Sequence, residues 1–95
     1  MSSVQHFVYI LTNRIRTTLY IGSNKDLRKR VLQHKQGFGS YFTSKYNLTL
    51  LFYFESFTTY NEAFQKERQM KMWNREWKEM LINSVNSNWN DLVEK

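Results

Sequence analysis

Two tyrosine-bearing segments near the start of the chain constrain its fold most strongly. Residues 7–12 and 18–23 are rich in β-branched and aromatic side chains, which is typical of β-strands. Only the short polar stretch 13–17 lies between them, so we expect an antiparallel hairpin. Such a hairpin can place Tyr9 and Tyr20 on one shared face, although each tyrosine taken alone is more often a packing residue.

The segment after the hairpin predicts a helix, a loop and a third strand. Leu27 and Val31 form the apolar stripe of the helix, Asn24 is its expected N-cap, and Gly37 is expected to end it. A flexible, aromatic-rich loop should follow Gly37. Residues 48–55 are almost continuously apolar, which indicates a strand covered on both faces.

The rest of the chain reads as helical. The capping-box spacing of residues 59–62 predicts a helix that runs to about Trp73, a second helix carries Trp77, and a short terminal helix starts at about Asn88. The predicted order is β-β-α-β-α-α plus this short C-terminal helix. We therefore expect an α/β (α+β) fold, with a small three-stranded antiparallel sheet flanked by helices, in one domain over residues 1–95.

Charge is unevenly distributed along the chain. The net charge is +6, and residues 1–54 hold eight Lys or Arg but only one acid, whereas residues 55–95 hold six basic and seven acidic side chains. A basic half indicates a polyanionic partner such as nucleic acid, unless it serves solubility alone. The absence of cysteine excludes disulfides and thiolate chemistry. No apolar stretch approaches the ~20 residues of a membrane span, and no secretory signal is visible, so we expect a cytoplasmic protein without a membrane partner.

One carboxylate falls in an unexpected place. At about 100° per residue, Glu67 lies near the middle of the apolar arc that Ala63, Phe64 and Met70 define. A carboxylate that faces a core must be protonated, paired or bound to a metal. One reading is an ion pair with Arg30 or Lys71. The other is a single protein ligand for Mg²⁺, whose remaining positions water and phosphate would fill.

Arg30 and His34 lie one turn apart on the first predicted helix, at the edge of its apolar stripe. An arginine there can bury its stem and present its planar fork to phosphate oxygens. The alternative for Arg30 is a surface ion pair. His34 can orient a phenol, move a proton or simply pack at the edge of the core.

Together these motifs resemble the GIY-YIG endonuclease domain, and particularly its small stand-alone bacterial members. Tyr20-Ile21-Gly22 matches the second half of the name-giving motif, and Val8-Tyr9-Ile10 matches the first half in the form that small members use. Phe7-Val8 stands in place of Gly-Ile, and Ser87 stands where many relatives have proline. The resemblance extends to three later stretches: residues 26–34, residues 42–47, and the helix that holds Glu67.

The resemblance implies a role for each candidate residue. It makes Tyr9 the general base or water-positioning phenol, Tyr20 a second positioning phenol and Arg30 the group that stabilises the transition state. His34 becomes an auxiliary hydrogen-bonding group and Glu67 the sole protein ligand of one Mg²⁺ or Mn²⁺ ion. Asn86 is implied as a supporting residue. Gly22 is also expected to support the site, because a glycine lets another backbone or a phosphate come close to the strand end.

We therefore expect a Mg²⁺-dependent endonuclease that hydrolyses DNA phosphodiester bonds, in repair or recombination. A non-catalytic nucleic-acid-binding module and a protein-interaction domain are the alternatives. Whether the DNA is structured or damaged stays open, as does a partner protein that supplies specificity. The expected backbone contacts are Lys25, Arg28, Lys29, Lys35 and Lys45.

Overall fold

The computed structural model describes residues 5–93 and contains a three-stranded sheet with four helices. None of the helices in that range is long and apolar enough to cross a membrane. The predicted α/β class is confirmed. In chain order the elements are β1 (His6–Thr12), β2 (Leu19–Asn24), α1 (Leu27–Lys35), α2 (Tyr41–Lys45), β3 (Leu50–Phe57), α3 (Tyr60–Met72) and α4 (Arg75–Val85).

The sheet has the order β2-β1-β3, and both pairings are antiparallel. The expected hairpin is present, and β1 is the central strand. Its residues 8–12 are fully buried, because they are covered on both faces. A bulge between Ile10 and Leu11 interrupts the pairing with β3. The strand β3 is buried over Leu51–Tyr53 but exposed over residues 54–56, so only its first half fits the prediction of a strand covered on both faces.

Two apolar clusters lie on opposite faces of the sheet. One joins Val8 and Ile10 to Ala63, Met70 and Ile82, so α3 and α4 pack on that face. The other joins alternate β1 residues to α1, because side chains of a strand point in turn to opposite faces. Its buried members are Tyr9, Leu11, Val31, Leu48 and Leu51. The two phenols and α1 therefore share one layer of the fold.

The ends of α1 show how local chemistry sets its position. Asp26, and not Asn24, is the N-cap, and its side chain accepts a hydrogen bond from the Lys29 amide. Asn24 lies two residues earlier, and its side chain accepts from the Asp26 amide at 2.8 Å. The chain leaves the helix at Gly37, where φ is +85°, as predicted. The Phe38 amide then reaches back to the Gln33 carbonyl at 2.8 Å.

Two predictions about local structure are wrong. The stretch after Gly37 is not a flexible loop, because Ser40 caps the short helix α2 by accepting from the Thr43 amide. No helix starts near Asn88 within the part of the chain that ends at Val93. That segment contains a turn at Ser87 and Asn88 and no strand, and the Leu92 amide donates to the Leu51 carbonyl at 2.8 Å. It covers the outer edge of β3, where unpaired backbone groups would otherwise face solvent.

Lys35 does not have the surroundings expected of a DNA contact. Its ammonium group lies 2.6 Å from the Asp91 carboxylate and 2.7 Å from the Thr49 carbonyl. Asp91 also accepts from the Leu51 amide at 3.1 Å. Because this lysine joins the C-terminal segment to α1 and to the start of β3, we leave it out of the proposed phosphate contacts.

Candidate active site

The two phenols lie on the same face of the sheet. Tyr9 is paired with Gly22, and Leu11 is paired with Tyr20, so all four residues point to one side. The rings of Tyr9 and Tyr20 are 6.4 Å apart. Tyr9 is buried, whereas Tyr20 is partly exposed and can meet a ligand. The hairpin thus produces the shared face that the sequence predicts.

Gly22 makes room for the Tyr9 hydroxyl. A Cβ atom at this position would lie 2.6 Å from the Tyr9 hydroxyl oxygen and 2.7 Å from the ring carbon that carries it. Such contacts are shorter than real Cβ atoms make. The sequence indicated that Gly22 would admit a backbone or a phosphate, and in the fold the close approach is made by the phenol itself.

His34 completes a group of three rings. Its Nε2 atom lies 3.3 Å from the Tyr9 hydroxyl, and its ring centroid is 6.0 Å from that of Tyr9 and 5.8 Å from that of Tyr20. The side chain is buried. Gly39 packs against the opposite side of the imidazole, where a Cβ atom would lie only 1.9 Å from Nδ1.

A chain of hydrogen bonds orients the imidazole. Nδ1 lies 2.9 Å from the Thr43 hydroxyl, which itself donates to the Ser40 carbonyl at 3.2 Å. The Thr43 hydroxyl also lies 2.9 Å from the Ser40 hydroxyl, and if it donates to either Ser40 oxygen it accepts from Nδ1–H. Nε2 is then left as the acceptor that faces the Tyr9 hydroxyl. We expect the Nδ1–H tautomer of His34 from this network.

Burial sets the protonation states of Tyr9 and His34 at neutral pH. It raises the pKa of Tyr9 to about 12, and Tyr20 adds to the rise, while a hydrogen bond and the positive charge from Arg30 oppose it. Burial also lowers the pKa of His34 to about 4, and the Arg30 charge acts in the same direction. At pH 7 the phenol is therefore protonated and the imidazole is neutral. A tyrosine that acts as a base would need a lowered pKa, and these surroundings raise the pKa of Tyr9 instead.

Arg30 is placed beside the phenol with its guanidinium partly exposed. It lies near enough to Tyr9 to influence the pKa of the hydroxyl, and it donates to the Gln33 side chain at 3.2 Å. This is the boundary position that the helix pattern predicts. The fork keeps donors available for an incoming anion.

Glu67 reaches the same region from the other side of the sheet. One carboxylate oxygen accepts from the Ser23 hydroxyl at 2.6 Å, and the other is 2.8 Å from the Lys71 ammonium. Its side chain is 16% exposed, against 54% for Lys71. Ser23 directly follows Gly22 on the edge strand, and the Glu67 charge contributes to the raised pKa of Tyr9. The carboxylate thus lies at the rim of the ring cluster without contacting it.

Asn86 does not lie in the cluster of Tyr9, Tyr20 and His34. It is buried at the end of α4, where its amide donates to the Phe52 and Asn90 carbonyls at 3.0 and 2.8 Å. It also accepts from the Asn90 amide at 3.1 Å. These contacts fix the turn that leads to the C-terminal segment. Asn86 therefore supports the fold and not the ring cluster.

The expected phosphate contacts are mostly available. Lys25, Arg28 and Lys29 are exposed at the end of β2 and the start of α1. A cavity of about 250 Å³, lined in part by Lys25 and Ser23, opens beside the hydroxyl partner of Glu67. Lys45 is exposed on α2.

Three residues that shape the site are not among those predicted from the sequence: Gly39, Ser40 and Thr43. The Ser40-x-x-Thr43 spacing could have indicated a helix start, since an N-cap serine commonly accepts a hydrogen bond from the amide three residues later. Nothing local connects that cap to His34, because the contact forms only when α2 folds against α1.

We expect Thr43→Val to give a mixture of His34 tautomers and to cost about 1 kcal/mol of stability without unfolding the chain. Valine keeps the shape but removes the acceptor for Nδ1–H, and one such hydrogen bond is worth about 1 kcal/mol. The ¹⁵N shifts of the His34 ring should report a mixed tautomer in this variant. Ser44→Ala, at an exposed position on the same helix, should change neither quantity. An unchanged tautomer in Thr43→Val would contradict this assignment.

Comparisons with known proteins place this chain in a family. The family model of the GIY-YIG catalytic domain matches residues 5–80. A UPF0213 protein of Bacillus pumilus (strain SAFR-032) is 34% identical over 85 residues, which cover 90% of this chain and 86% of that protein. The UPF0213 protein YazA of Bacillus subtilis (strain 168) is 35% identical over 82 residues, covering 86% and 82%.

A solved structure agrees with these similarities. The solution NMR structure of the UPF0213 protein BH0048 from Bacillus halodurans has a TM-score of 0.59 and 26% identity, and the match covers 92% of each chain. GIY-YIG domains are generally endonuclease domains, with DNA as the implied substrate. The chain belongs to the GIY-YIG family, and the UPF0213 proteins are its relatives.

Proposed function

We propose that the chain is a Mg²⁺-dependent endonuclease that hydrolyses DNA phosphodiester bonds by attack of a positioned water. The observation that carries the proposal is the contact group of Tyr9, Tyr20 and His34 beside Arg30, with Glu67 at its rim. These side chains come from four different elements, and packing alone does not require phenol, imidazole and guanidinium to meet at one place. Membership of the GIY-YIG family is consistent with phosphodiester hydrolysis by this group of side chains.

In this proposal Tyr9 positions the water. With its pKa raised to about 12, the phenol is protonated at neutral pH and donates to His34 Nε2. Its oxygen can then accept a hydrogen bond from the water and direct the water oxygen toward phosphorus. As that oxygen bonds to phosphorus, the bond between phosphorus and the leaving oxygen breaks, and the proton that the water loses passes through solvent to the leaving oxygen. Tyr20, which is partly exposed, provides a second phenol for the water or the phosphate. The resemblance left Tyr9 as base or positioning group, and the pKa favours positioning.

Arg30 and the surface cations would hold the phosphate. The Arg30 fork can donate two hydrogen bonds to non-bridging oxygens and oppose the charge that develops on them. Lys25, Arg28, Lys29 and Lys45 would contact neighbouring phosphates, which gives affinity that falls as salt rises. Repair or recombination would be the setting for such an enzyme.

Glu67 fits a site for one Mg²⁺ or Mn²⁺ ion. Its carboxylate and the Ser23 hydroxyl form an oxygen-only donor set, which Mg²⁺ prefers. Between residues 5 and 93 no group of three or more His, Cys, Asp or Glu side chains is arranged to hold a metal, so water and phosphate oxygens would complete the shell. When bound, the ion would neutralise charge on the phosphate and the leaving oxygen.

The Glu67–Lys71 ion pair favours the alternative of a module that binds nucleic acid without cutting it. In that reading the carboxylate needs no metal, because Lys71 already compensates its charge. The pair is an i,i+4 contact with a half-exposed lysine, which contributes roughly 0.5 kcal/mol or less. Such a weak pair can open when an ion or a phosphate approaches.

Nicking of supercoiled plasmid tests the proposal. The purified chain should convert plasmid to the open circle with Mg²⁺ and leave it intact with EDTA. Arg30→Ala, purified in parallel, should be slower by at least about tenfold, because one charge-assisted contact to the phosphate is lost. Equal nicking by both preparations would point to a contaminating nuclease and contradict the assignment. DNA binding without nicking would favour the non-catalytic module.

A further inference from the structure

Three aromatic side chains form an exposed surface on and just after α2. Tyr41 is 80% exposed, Phe42 44% and Tyr46 42%. We call this surface the aromatic ridge. Single exposed apolar side chains are ordinary, but three within six residues form a patch that favours contact with a ligand.

The ridge is continuous with the proposed active site. The Phe42 ring lies 6.1 Å from the Tyr20 ring and 4.9 Å from the Tyr46 ring. Tyr20 in turn lies 5.8 Å from His34. A strand whose phosphate reaches Tyr20 would therefore pass its next nucleotides across these rings.

The ridge also carries a positive charge. The Lys45 ammonium lies 5.9 Å from the Tyr41 ring centre and 5.4 Å from the Tyr46 ring centre. The ion pairs found between residues 5 and 93 involve Lys35, Lys71 and Arg75, and Lys45 takes part in none of them. An apolar protein surface would bury this charge without compensation, whereas a nucleic acid offers bases to the rings and phosphate to the ammonium.

We propose that the aromatic ridge stacks on unpaired bases that flank the cleaved bond, so that the substrate is DNA with single-stranded nucleotides at the cut. In a closed duplex the base faces are covered by their neighbours, and only unstacked bases can meet a protein ring. This inference rests on the proposed function, since it assumes that the scissile phosphate lies near Tyr20. It narrows the substrate from DNA in general to one structural class.

A second exposed aromatic position provides the control. Trp77 on α4 is 55% exposed, and α4 packs on the opposite face of the sheet from Tyr20 and His34. Its loss removes comparable aromatic surface without touching the ridge.

Fluorescence anisotropy in EDTA tests the inference without cleavage. A labelled 20-nucleotide oligothymidine and a 20-base-pair duplex would be titrated with the chain at one salt concentration. The wild type should bind the single strand more tightly. Tyr41→Ala with Tyr46→Ala should weaken that binding by roughly tenfold or more and duplex binding by less than about twofold, because stacking on a base is worth roughly 1–3 kcal/mol. Tyr41→Trp and Trp77→Ala should bind like the wild type.

Three results would overturn the inference: tighter wild-type binding to the duplex, equal losses on both probes, or no loss in the double variant. A ridge that binds protein would give the last of these. Because no metal is present, the outcome is independent of nicking. Plasmid cutting without single-strand preference would remove only the ridge inference. Single-strand preference without cutting would remove the nuclease and leave the ridge as a surface that binds single strands.

Discussion

Glu67→Gln is expected to lower Mg²⁺-dependent DNA cleavage by roughly a hundredfold or more while leaving the chain folded. Glutamine has nearly the same shape, and its amide oxygen can still accept from the Ser23 hydroxyl. It lacks the charge that would hold the ion, and loss of one group that stabilises developing charge costs roughly 10²–10³ in rate. The unfolding free energy should fall by less than about 1 kcal/mol, because the Lys71 partner is half exposed. Initial rates on plasmid and thermal denaturation measure the two effects.

Lys71→Gln is the matched control for this carboxylate. It removes the same ion pair from the other side and leaves the Glu67 charge in place. If Glu67 binds the ion, Lys71→Gln should cut at least as fast as the wild type, since a competing cation is gone. If Glu67 serves only the pair, the two variants should lose equal stability and cut equally well. That second pattern would refute the metal assignment.

Among the glycine-to-alanine substitutions in this chain, Gly39→Ala should disturb the structure most, because its added Cβ makes the shortest contact. The added Cβ would lie 1.9 Å from Nδ1 of His34, 2.4 Å from Cε1 and 2.6 Å from Cγ. The ring is buried between Tyr9 and Thr43, so it cannot move aside without losing its hydrogen bonds. We expect a stability loss of about 1–3 kcal/mol, as for other overpacked sites, and cleavage slower by roughly a hundredfold.

Gly37→Ala is the control that separates a loss of site geometry from a loss of stability. Gly37 has φ of +85°, so alanine there is strained, but the nearest atom to its Cβ, the Ser44 hydroxyl oxygen, is 3.9 Å away. We expect a loss of about 1 kcal/mol with cleavage close to wild type at a temperature where both variants are folded. Chemical denaturation and initial rates measure the pair. Wild-type cleavage by Gly39→Ala would show that the His34 ring is not needed where the structure places it.

Local sequence signals predicted the elements that carry the site. The Tyr9 and Tyr20 strands followed from composition and a short polar link, and Thr59 caps α3 as its spacing indicated. The inward placement of Glu67 followed from helical periodicity alone. These features depend on residues within one or two turns of each other, so they can be derived without knowing the fold.

Contacts between distant segments could not be predicted from the sequence. Lys35 and Asp91 are 56 residues apart, and their pairing requires the C-terminal segment to lie along β3. The partner of Glu67 was left open between Arg30 and Lys71, since periodicity places a side chain but does not choose its neighbour. Gly39 lies in the stretch that was expected to be a flexible loop, whereas the fold needs a residue without a side chain there because the His34 ring packs against it.

Paramagnetic broadening by Mn²⁺ tests the central claim most directly. In ¹H–¹⁵N NMR spectra of the chain, Mn²⁺ should weaken the amide signals of Gly22, Ser23 and Glu67 first, because broadening falls steeply with distance from the ion. Added Mg²⁺ should restore them, and Glu67→Gln should abolish the effect. Selective broadening at Glu67 would place the ion where the proposed chemistry requires it. An identical pattern in Glu67→Gln, or broadening confined to the surroundings of Asn86 at the end of α4, would contradict the account.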